Sequence, residues 1–285
     1  MRIALLTCNK LPDLLPADQL LIPRLALRGI NAVAVVWDDR RIDWKSFDFL
    51  IFRNTWDYYE KETEFNHWLD WLETNGIKTL NSISVVRQNK HKFYLRELNR
   101  KGIQILPTIF IDKTSQLRLA AVIPPKWKMA VIKPAFSAGS YLTECFKIDD
   151  IEEVNSRYKT IAESKDLLLQ EFRPEIQTLG ETSFIFFNKK FSHCVNKKPA
   201  SGDFRVQFQF GGEYELVNPD QSLIDQAKKV VDEYSEILYA RVDGIVIDGK
   251  LFLMEIECIE PDLYMNLEEN AYDIFVDEIV AMTTK

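Results

Sequence analysis

Residues 241–261, RVDGIVIDGKLFLMEIECIEP, decide how this sequence is interpreted. Two apolar runs flank Asp248-Gly249, a dipeptide that is typical of β-hairpin turns. Glu255 and Glu257 interrupt the second run two residues apart, so on a strand both carboxylates project from the same face. The stretch therefore predicts a hairpin that carries a cluster of acidic groups.

These acidic groups predict a metal site. Carboxylates that converge on a core strand repel each other and lose hydration, which is costly unless a cation compensates. Mg²⁺ is commonly held by one or two carboxylates together with phosphate oxygens. We therefore expect Asp243, Glu255 and Glu257 to bind Mg²⁺ or Mn²⁺ for a phosphorylated ligand. The alternative is a solvent-facing edge strand with incidental acids, but its wet face would also carry Leu251 and Leu253.

The length of the turn determines whether Asp243 joins the other two carboxylates. A two-residue turn would send Asp243 to the face opposite Glu255, whereas a three-residue loop at 247–249 with a left-handed Gly249 places both on one face. The sequence leaves both open, but in a regular hairpin only an odd-length loop gathers all three carboxylates. That loop would place Arg241 opposite Glu255.

Composition places the chain among ordinary globular proteins. It has 285 residues, of which 46% are hydrophobic and 28% charged, enough for two or three lobes with a core. The net charge of −7 argues against general nucleic-acid binding through phosphate neutralisation. The four cysteines form no CxxC pair, and no apolar segment has the length of a signal peptide or a membrane span. We therefore expect a cytoplasmic protein with neither a nucleic-acid nor a membrane partner, and its oligomeric state, a homo-oligomer included, stays open.

Strand and helix signals alternate over the first 80 or so residues, a pattern typical of a parallel sheet with crossover helices. No GxGxxG follows the first strand, so a dinucleotide fingerprint is absent. The fold class expected is α/β with α+β lobes, divided at 1–84, 85–172 and 173–285. The other predicted elements are helices at 18–28, 90–101, 220–239 and 271–282 and strands at 130–133, 167–172, 182–187, 191–196 and 204–210.

A lysine and a loop of small residues predict a phosphate site. Lys133 ends an apolar strand and is followed by Ser137-Ala138-Gly139-Ser140, where backbone N–H groups of residues such as Ser137 and Gly139 approach phosphate oxygens closely. The alternative is a lysine whose ammonium group reaches solvent from the strand end. A P-loop is excluded because the sequence has no GxxxxGK[ST].

The strand end at Gln170, Glu171 and Phe172 is a candidate hinge. There the backbone would contact an adenine edge while Phe172 covers its face, although an ordinary strand end fits equally well.

Two further groups of residues are candidates for binding an anion or the substrate. Lys197, Lys198 and Arg205 concentrate positive charge near one loop, which suits an anionic ligand, with solvated surface charge as the alternative. The other group follows an N-terminal parallel strand, where ligands commonly bind beyond the carboxyl ends. Its members are Arg53, Thr55, Trp56 and Asp57.

The order of these features resembles the ATP-grasp superfamily, and more closely its branch of cycloserine-forming ligases, which are similar to prokaryotic glutathione synthetases and D-alanine–D-alanine ligases. The resemblance spans nearly the whole chain. Its motifs are FRNTWDYYEKETEF, HKFYLREL, VIKPAFSAGS, GETSFIFFNKKFSH, KKPASGDFRVQ and LFLMEIECIEPDLY. It implies an ATP-grasp fold with an N-terminal parallel α/β pre-ATP-grasp domain, followed by the small and C-terminal lobes.

The resemblance also implies roles for individual residues. Lys92 and Lys133 would contact the ATP phosphates. Without the resemblance, Lys92 would be only a weak candidate, because a lysine in an amphipathic helix is usually a solvated surface residue. Glu181 would bind the ribose hydroxyls, and residues 170–172 the adenine. Arg241 and Arg205 would offset charge on the transferring phosphoryl group. Many family members have Asn where this chain has Glu257, and their lid loop is richer in glycine.

The function implied is that of an ATP- and Mg²⁺-dependent carbon–nitrogen ligase. It would phosphorylate a carboxylate-type group of an amino-acid-like small molecule for attack by an amine, in a ligation or a cyclisation. A nucleotide-binding regulator or pseudoenzyme on the same scaffold is the alternative. Metal-assisted hydrolysis without a nucleotide would leave Lys92 and Lys133 without a role.

Overall fold

The computed structural model describes residues 1–116, 118–200, 205–206 and 211–284, which form three sheets with helices packed against them. No helix in these ranges is long and apolar enough to cross a membrane. The four cysteines are unpaired, in agreement with the absence of a CxxC motif.

The first sheet is parallel, as the alternating signals predicted, with strand order β2-β1-β3-β4. Its elements are β1 (Arg2–Thr7), α1 (Pro16–Gln19), α2 (Leu21–Leu27), β2 (Asn31–Val36), β3 (Phe49–Asn54), α3 (Glu62–Thr74) and β4 (Thr79–Leu80), with 3-10 turns at Trp44–Ser46 and Tyr58–Lys61. The predicted helix at 18–28 is split between α1 and α2. Gly29 follows it with a φ of 73°, the left-handed conformation expected of a helix-ending glycine.

The second sheet is antiparallel, with order β5-β8-β6-β7. Its elements, with the helices that precede it, are α4 (Ile83–Asn89), α5 (Tyr94–Arg100), β5 (Thr108–Ile111), α6 (Leu119–Val122), β6 (Met129–Pro134), β7 (Glu144–Lys147), a 3-10 turn at Ile148–Asp150, α7 (Ile151–Ala162) and β8 (Leu167–Glu171). The predicted helix at 90–101 begins only at Tyr94, so Lys92 lies in the turn between α4 and α5. Its backbone N–H donates to Ala135 O at 2.8 Å, which anchors this turn to the segment after β6.

The third sheet is antiparallel, with order β11-β10-β9-β12-β13. Its elements are α8 (Glu175–Thr178), β9 (Glu181–Phe187), β10 (Lys190–Lys198), β11 (Glu213–Leu216), α9 (Gln221–Asp232), β12 (Tyr239–Ile247), β13 (Lys250–Glu257) and α10 (Ala271–Thr283). The apolar face of α9 packs on one side of this sheet, and α10 packs between its other side and the first sheet. The predicted strand at 204–210 lies outside the described residues except for 205 and 206.

The hairpin turn differs from the three-residue loop that we expected. Ile247 pairs directly with Lys250, so the turn contains two residues. These are Asp248 with a φ of 49° and Gly249 with a φ of 71°, and two consecutive positive values are those of a type I′ turn. The left-handed Gly249 was predicted, but the loop length was wrong.

A β-bulge compensates for the even-length turn. Gly244 pairs with Leu253, but the next residue along β12, Asp243, pairs with Glu255, so Met254 is an additional residue in β13. One extra residue reverses which face each later side chain occupies. Asp243 therefore joins the face of Glu255 although the turn has two residues.

The bulge requires a glycine at position 244. A Cβ atom there would lie 2.5 Å from Phe252 O and 2.7 Å from Leu251 Cδ1, distances at which the backbone itself would have to move. Beyond the bulge Arg241 pairs with Glu257, and not with Glu255 as the longer loop would have required. Proximity of the carboxylates thus depends on close backbone packing at one residue.

Candidate active site

A cavity of about 500 Å³ lies where the three sheets meet. Most of the residues predicted for the site line it, and they come from every part of the described chain. These are Trp56, Lys92, Lys133, Ser137, Gly139, Gln170, Glu171, Phe172, Glu181, Lys197, Arg205, Arg241, Glu255 and Glu257.

The hairpin brings three carboxylates together at one wall of this cavity. One oxygen from each of Asp243, Glu255 and Glu257 lies within 4.8 Å of the other two. Asp243 is completely buried, and it accepts hydrogen bonds from the Ser183 hydroxyl and from Arg241 Nε at 3.0 Å. Three carboxylates at this spacing match the all-oxygen donor set that hard divalent cations prefer. The residues present therefore fit Mg²⁺ or Mn²⁺.

The environment gives two of these carboxylates unequal proton affinities. Burial raises the pKa of Glu257 to about 8, although Arg241 Nη2 lies 2.7 Å from its Oε1. Burial acts in the same direction on Glu255, but the positive charges of Lys92 and Lys133 hold the pKa of Glu255 at about 2. A divalent cation between them would favour the ionised form of both.

Two lysines reach the carboxylates from the second lobe. Lys92 Nζ donates to Ser137 O at 2.6 Å and lies 3.6 Å from Glu255 Oε2. Lys133, at the end of β6, is half-buried, and burial lowers its pKa while the charge of Glu255 opposes this effect. Both ammonium groups thus share the cavity wall with the three clustered carboxylates, and this arrangement of charges suits phosphate oxygens.

The neighbouring residues Lys197 and Lys198 have different surroundings because successive side chains of β10 point to opposite faces. Lys197 is buried, forms a short ion pair with Glu181, and lies 3.4 Å from Asp243 Oδ1. Lys198 is exposed, lies 3.3 Å from Glu215 Oε1, and is not among the residues that line the cavity. The structure therefore brings only Lys197 to the site.

The strand end at 170–172 borders the cavity as expected. Gln170 is buried, and its Nε2 donates to Thr108 Oγ1 at 3.1 Å. The backbone N–H groups of Glu171 and Phe172 donate to Pro107 O and Met129 O at 2.9 and 3.1 Å. In this conformation both N–H groups are already hydrogen-bonded, so neither is free for an adenine edge. The Phe172 side chain borders the cavity and could contact the adenine face.

The four N-terminal candidates divide into one cavity residue and three buried ones. Trp56 lines the cavity. Arg53 is ion-paired with Asp18 at 2.9 Å, and Asp57 accepts hydrogen bonds from Trp37 Nε1 and Lys61 Nζ, both at 2.7 Å. Thr55 is also buried, and its hydroxyl has no hydrogen-bond partner among the residues that the structure describes.

Two residues that the sequence reasoning missed fix the strand of Glu255 and Glu257. Asn89 bonds Ile256 O at 2.7 Å through Nδ2 and the Cys258 N–H at 2.8 Å through Oδ1. The Tyr94 hydroxyl bonds the N–H and the carbonyl of Ile256, at 3.1 and 3.0 Å. Side chains thus replace a neighbouring strand at this edge. The sequence signal is slight: a polar asparagine on the buried face of a short helix.

Comparisons with known proteins agree with this architecture. Residues 3–81 match the family model of the D-cycloserine synthetase DcsG N-terminal domain. Over 258 residues the chain is 25% identical to the cycloserine biosynthesis protein DcsG of Streptomyces lavendulae, an alignment that covers 85% of each chain.

Solved structures show the same fold. The crystal structure of D-cycloserine synthetase DcsG superposes with a TM-score of 0.87 and 22% identity, covering 99% of this chain and 100% of the other. The D-alanine–D-alanine ligase from Bacillus anthracis, complexed with ATP, superposes with a TM-score of 0.70 and 17% identity, covering 100% and 97%.

Proposed function

We propose that this chain is an ATP-grasp ligase similar to the cycloserine synthetases, and we propose a specific reaction for it. The enzyme uses ATP and Mg²⁺ to phosphorylate a carboxylate-type group of an amino-acid-like small molecule, and an amine then displaces the phosphate. The observation that carries this proposal is the convergence of Asp243, Glu255 and Glu257 on a cavity that also holds Lys92 and Lys133.

The geometry suits phosphoryl transfer because that reaction depends on positioning and charge neutralisation more than on an acid–base side chain. Asp243, Glu255 and Glu257 would hold Mg²⁺, which when bound offsets charge on the ATP phosphates. Lys92 and Lys133 contact the same phosphates. Arg241, Lys197 and Arg205 line the cavity as further cations for the transferring group.

The proposed reaction has two chemical steps, a phosphorylation and a displacement of phosphate by the amine. A carboxylate oxygen of the substrate attacks the γ-phosphorus, and the bond to the β-phosphate oxygen breaks to release ADP. The amine nitrogen then attacks the acyl carbon, phosphate leaves, and the amine loses a proton. The segment after β6 covers the cavity beside Lys92, where it would exclude water from the phosphorylated intermediate. Adenine would lie at residues 170–172 and the ribose at Glu181.

An ADP-release screen over amino acids and amines, with mass analysis of the products, tests the proposal. Glu255→Gln should abolish ADP release, because it removes one of the three carboxylates of the metal site, while leaving the melting temperature close to that of wild type. Glu269→Gln is the matched control on an exposed glutamate. Full activity of Glu255→Gln would contradict the metal assignment.

A thermal-shift comparison separates ligation from the other functions. Stabilisation by ATP with Mg²⁺ well beyond that by Mg²⁺ alone is expected. No additional stabilisation by ATP would favour metal-assisted hydrolysis. ATP binding without ADP release for every combination of acid and amine would favour a nucleotide-binding regulator.

A further inference from the structure

Two carboxylates in the cavity differ from all the others that line it. Glu171, Glu181, Glu255 and Glu257 each form an ion pair with a lysine or arginine. Glu260 and Asp262 also line the cavity, but in the described part of the chain neither has a cationic side chain within ion-pair distance. They lie immediately after the metal hairpin, on either side of Pro261.

The backbone of this short segment is held from three directions. Trp56 Nε1 donates to Glu260 O at 2.9 Å, Arg53 Nη2 to Pro261 O at 3.1 Å, and Arg241 Nη1 to Asp262 O at 3.0 Å. Three consecutive carbonyls therefore accept hydrogen bonds from side chains of the first and third sheets. These three hydrogen bonds hold the backbone in place. They involve neither of the two carboxylate groups, which therefore stay available to a ligand.

The burial of Glu260 makes an unpaired charge there costly. Only 8% of its surface is exposed, and the Tyr58 side chain lies close to it. A carboxylate removed from water to this degree is stabilised when a cation is bound to it. Asp262 is oriented by the Tyr264 N–H, which donates to its Oδ1 at 2.8 Å. Both carboxylates thus add fixed negative charge to the cavity wall.

The side chain of Arg241 links this part of the cavity wall to the carboxylates of the hairpin. The guanidinium of Arg241 bonds Glu257 Oε1 at 2.7 Å through one terminal nitrogen and Asp262 O at 3.0 Å through the other. A molecule whose reacting group lies at the metal therefore needs to be only a few bonds long to reach Glu260. A small amino acid has these dimensions.

We propose that Glu260, with Asp262 beside it, binds the ammonium group of the substrate and so selects amino acids over acids that lack a cationic amino group. This rests on the proposed function, in which the same cavity takes an amino-acid-like substrate. Arg53 and Trp56 act as positioning residues, since they contact only the backbone of the segment that carries the two carboxylates.

The test measures ADP release for a panel of D- and L-amino acids, each paired with the acid that lacks its amino group, such as D-alanine with propionate. Wild type, Glu260→Gln, Glu260→Asp and the exposed control Glu269→Gln are compared at saturating ATP and Mg²⁺. The most active amino acid should outperform its deaminated partner by at least tenfold in wild type. Glu260→Gln should raise KM for that amino acid at least tenfold, with KM for ATP within twofold, and Glu260→Asp should recover part of the loss.

Three results would overturn the proposal. They are equal activity with the deaminated acid, no response to any amino acid in either ADP release or binding, and an effect of Glu260→Gln on ATP or Mg²⁺ instead of the amino acid. The last result would indicate a second metal site. A melting curve for Glu260→Gln that matches Glu269→Gln shows that the variant is folded.

Calorimetry on protein loaded with ADP and Mg²⁺ separates this inference from the proposed function. If no ADP is released but an amino acid from the panel binds wild type and not Glu260→Gln, the inference stands and the ligase function fails. If ADP is released with acids that lack an amino group, the ligase function stands and the inference fails.

Discussion

The metal hairpin (β12 and β13) and the phosphate loop (residues 135–143, after β6) meet at Lys92, yet they are fixed in different ways. The hairpin is bonded to β9 on one side and to the side chains of Asn89 and Tyr94 on the other. The phosphate loop is hydrogen-bonded at its ends, from Lys92 to Ala135 O and Ser137 O and from the Tyr158 hydroxyl to Leu142 O. Its contacts with the 3-10 turn at Tyr58–Lys61 are made by aromatic rings: Phe136 with Tyr58 and Tyr141 with Tyr59, at centroid distances of 5.5 and 5.2 Å.

The difference matches what each region has to do. Metal ligands must be held within fractions of an ångström, which directional hydrogen bonds on a rigid strand provide. A loop that covers a nucleotide must also open, and the contact between the half-exposed ring of Tyr59 and the exposed ring of Tyr141 is lost at low cost. We therefore expect hairpin substitutions to act on stability and metal binding together, and loop substitutions to act on ATP binding alone.

The largest effect is expected at the bulge. Gly244→Ala places a methyl group against the Phe252 carbonyl, and the overpacking should lower the free energy of unfolding by about 3 kcal/mol. It should also abolish Mg²⁺-dependent ADP release, since relief of the clash displaces Asp243 from Glu255. Chemical denaturation and ADP release measure the two effects.

Gly249→Ala, in the turn of the same hairpin, is the matched control. Its Cβ would have no atom within 4 Å, so only the left-handed backbone is penalised, by about 1 kcal/mol. Its activity should stay near that of wild type. Equal effects of the two variants would mean that the bulge does not position the carboxylates.

The hairpin also shows which parts of the site were predictable. Spacing of two between Glu255 and Glu257 indicated a shared face, and Asp248-Gly249 indicated the turn, because both are local properties of a strand. The bulge was not predictable, since inserting Met254 depends on how β12 packs against β9. The sequence argument assumed a regular hairpin, in which only a loop with an odd number of residues brings the three carboxylates together. It therefore gave the wrong loop length, although the predicted cluster of carboxylates is present.

A similar limit applies to the N-terminal candidates. The end of β3 was predictable as a strand end beside the cavity, from the alternating pattern of a parallel sheet. The local sequence does not reveal that Arg53 pairs with Asp18 and Asp57 with Lys61, because those partners are set by tertiary packing. Likewise, the sequence predicted a helix that includes Lys92. The local sequence does not reveal the hydrogen bond from the Lys92 N–H to Ala135 O, which holds this position in a turn.

A smaller effect is expected at the outer edge of β13, beyond the point where Leu253 is bridged to Ile105. Asn89→Ala removes the partner of the buried Cys258 N–H and leaves the carbonyl of Ile256 with the Tyr94 hydroxyl as its remaining side-chain donor, which should cost about 2 kcal/mol of unfolding free energy. The looser strand should weaken Mg²⁺ binding about tenfold, within the range expected for supporting contacts of metal ligands. Titration of ADP release with Mg²⁺ measures this change.

Asn75→Ala is the control for this variant. Asn75 also bonds a backbone carbonyl, that of Trp71, but at a solvent-accessible helix end. Its removal should change stability by no more than about 0.5 kcal/mol and leave the Mg²⁺ dependence unaltered. A normal Mg²⁺ titration for Asn89→Ala would show that the edge contacts serve folding only.

The smallest effect is expected in the phosphate loop. Tyr141→Ala removes the ring that packs on Tyr59, and should raise KM for ATP about fivefold while lowering the free energy of unfolding by no more than about 1 kcal/mol. Because an open loop admits water, ADP released per product formed should also rise. Tyr141→Phe keeps the ring and should behave as wild type. Two results would remove the contrast between the loop and the hairpin. One is that Tyr141→Ala changes neither KM for ATP nor the ratio of ADP released to product formed. The other is that it lowers stability as much as Asn89→Ala does.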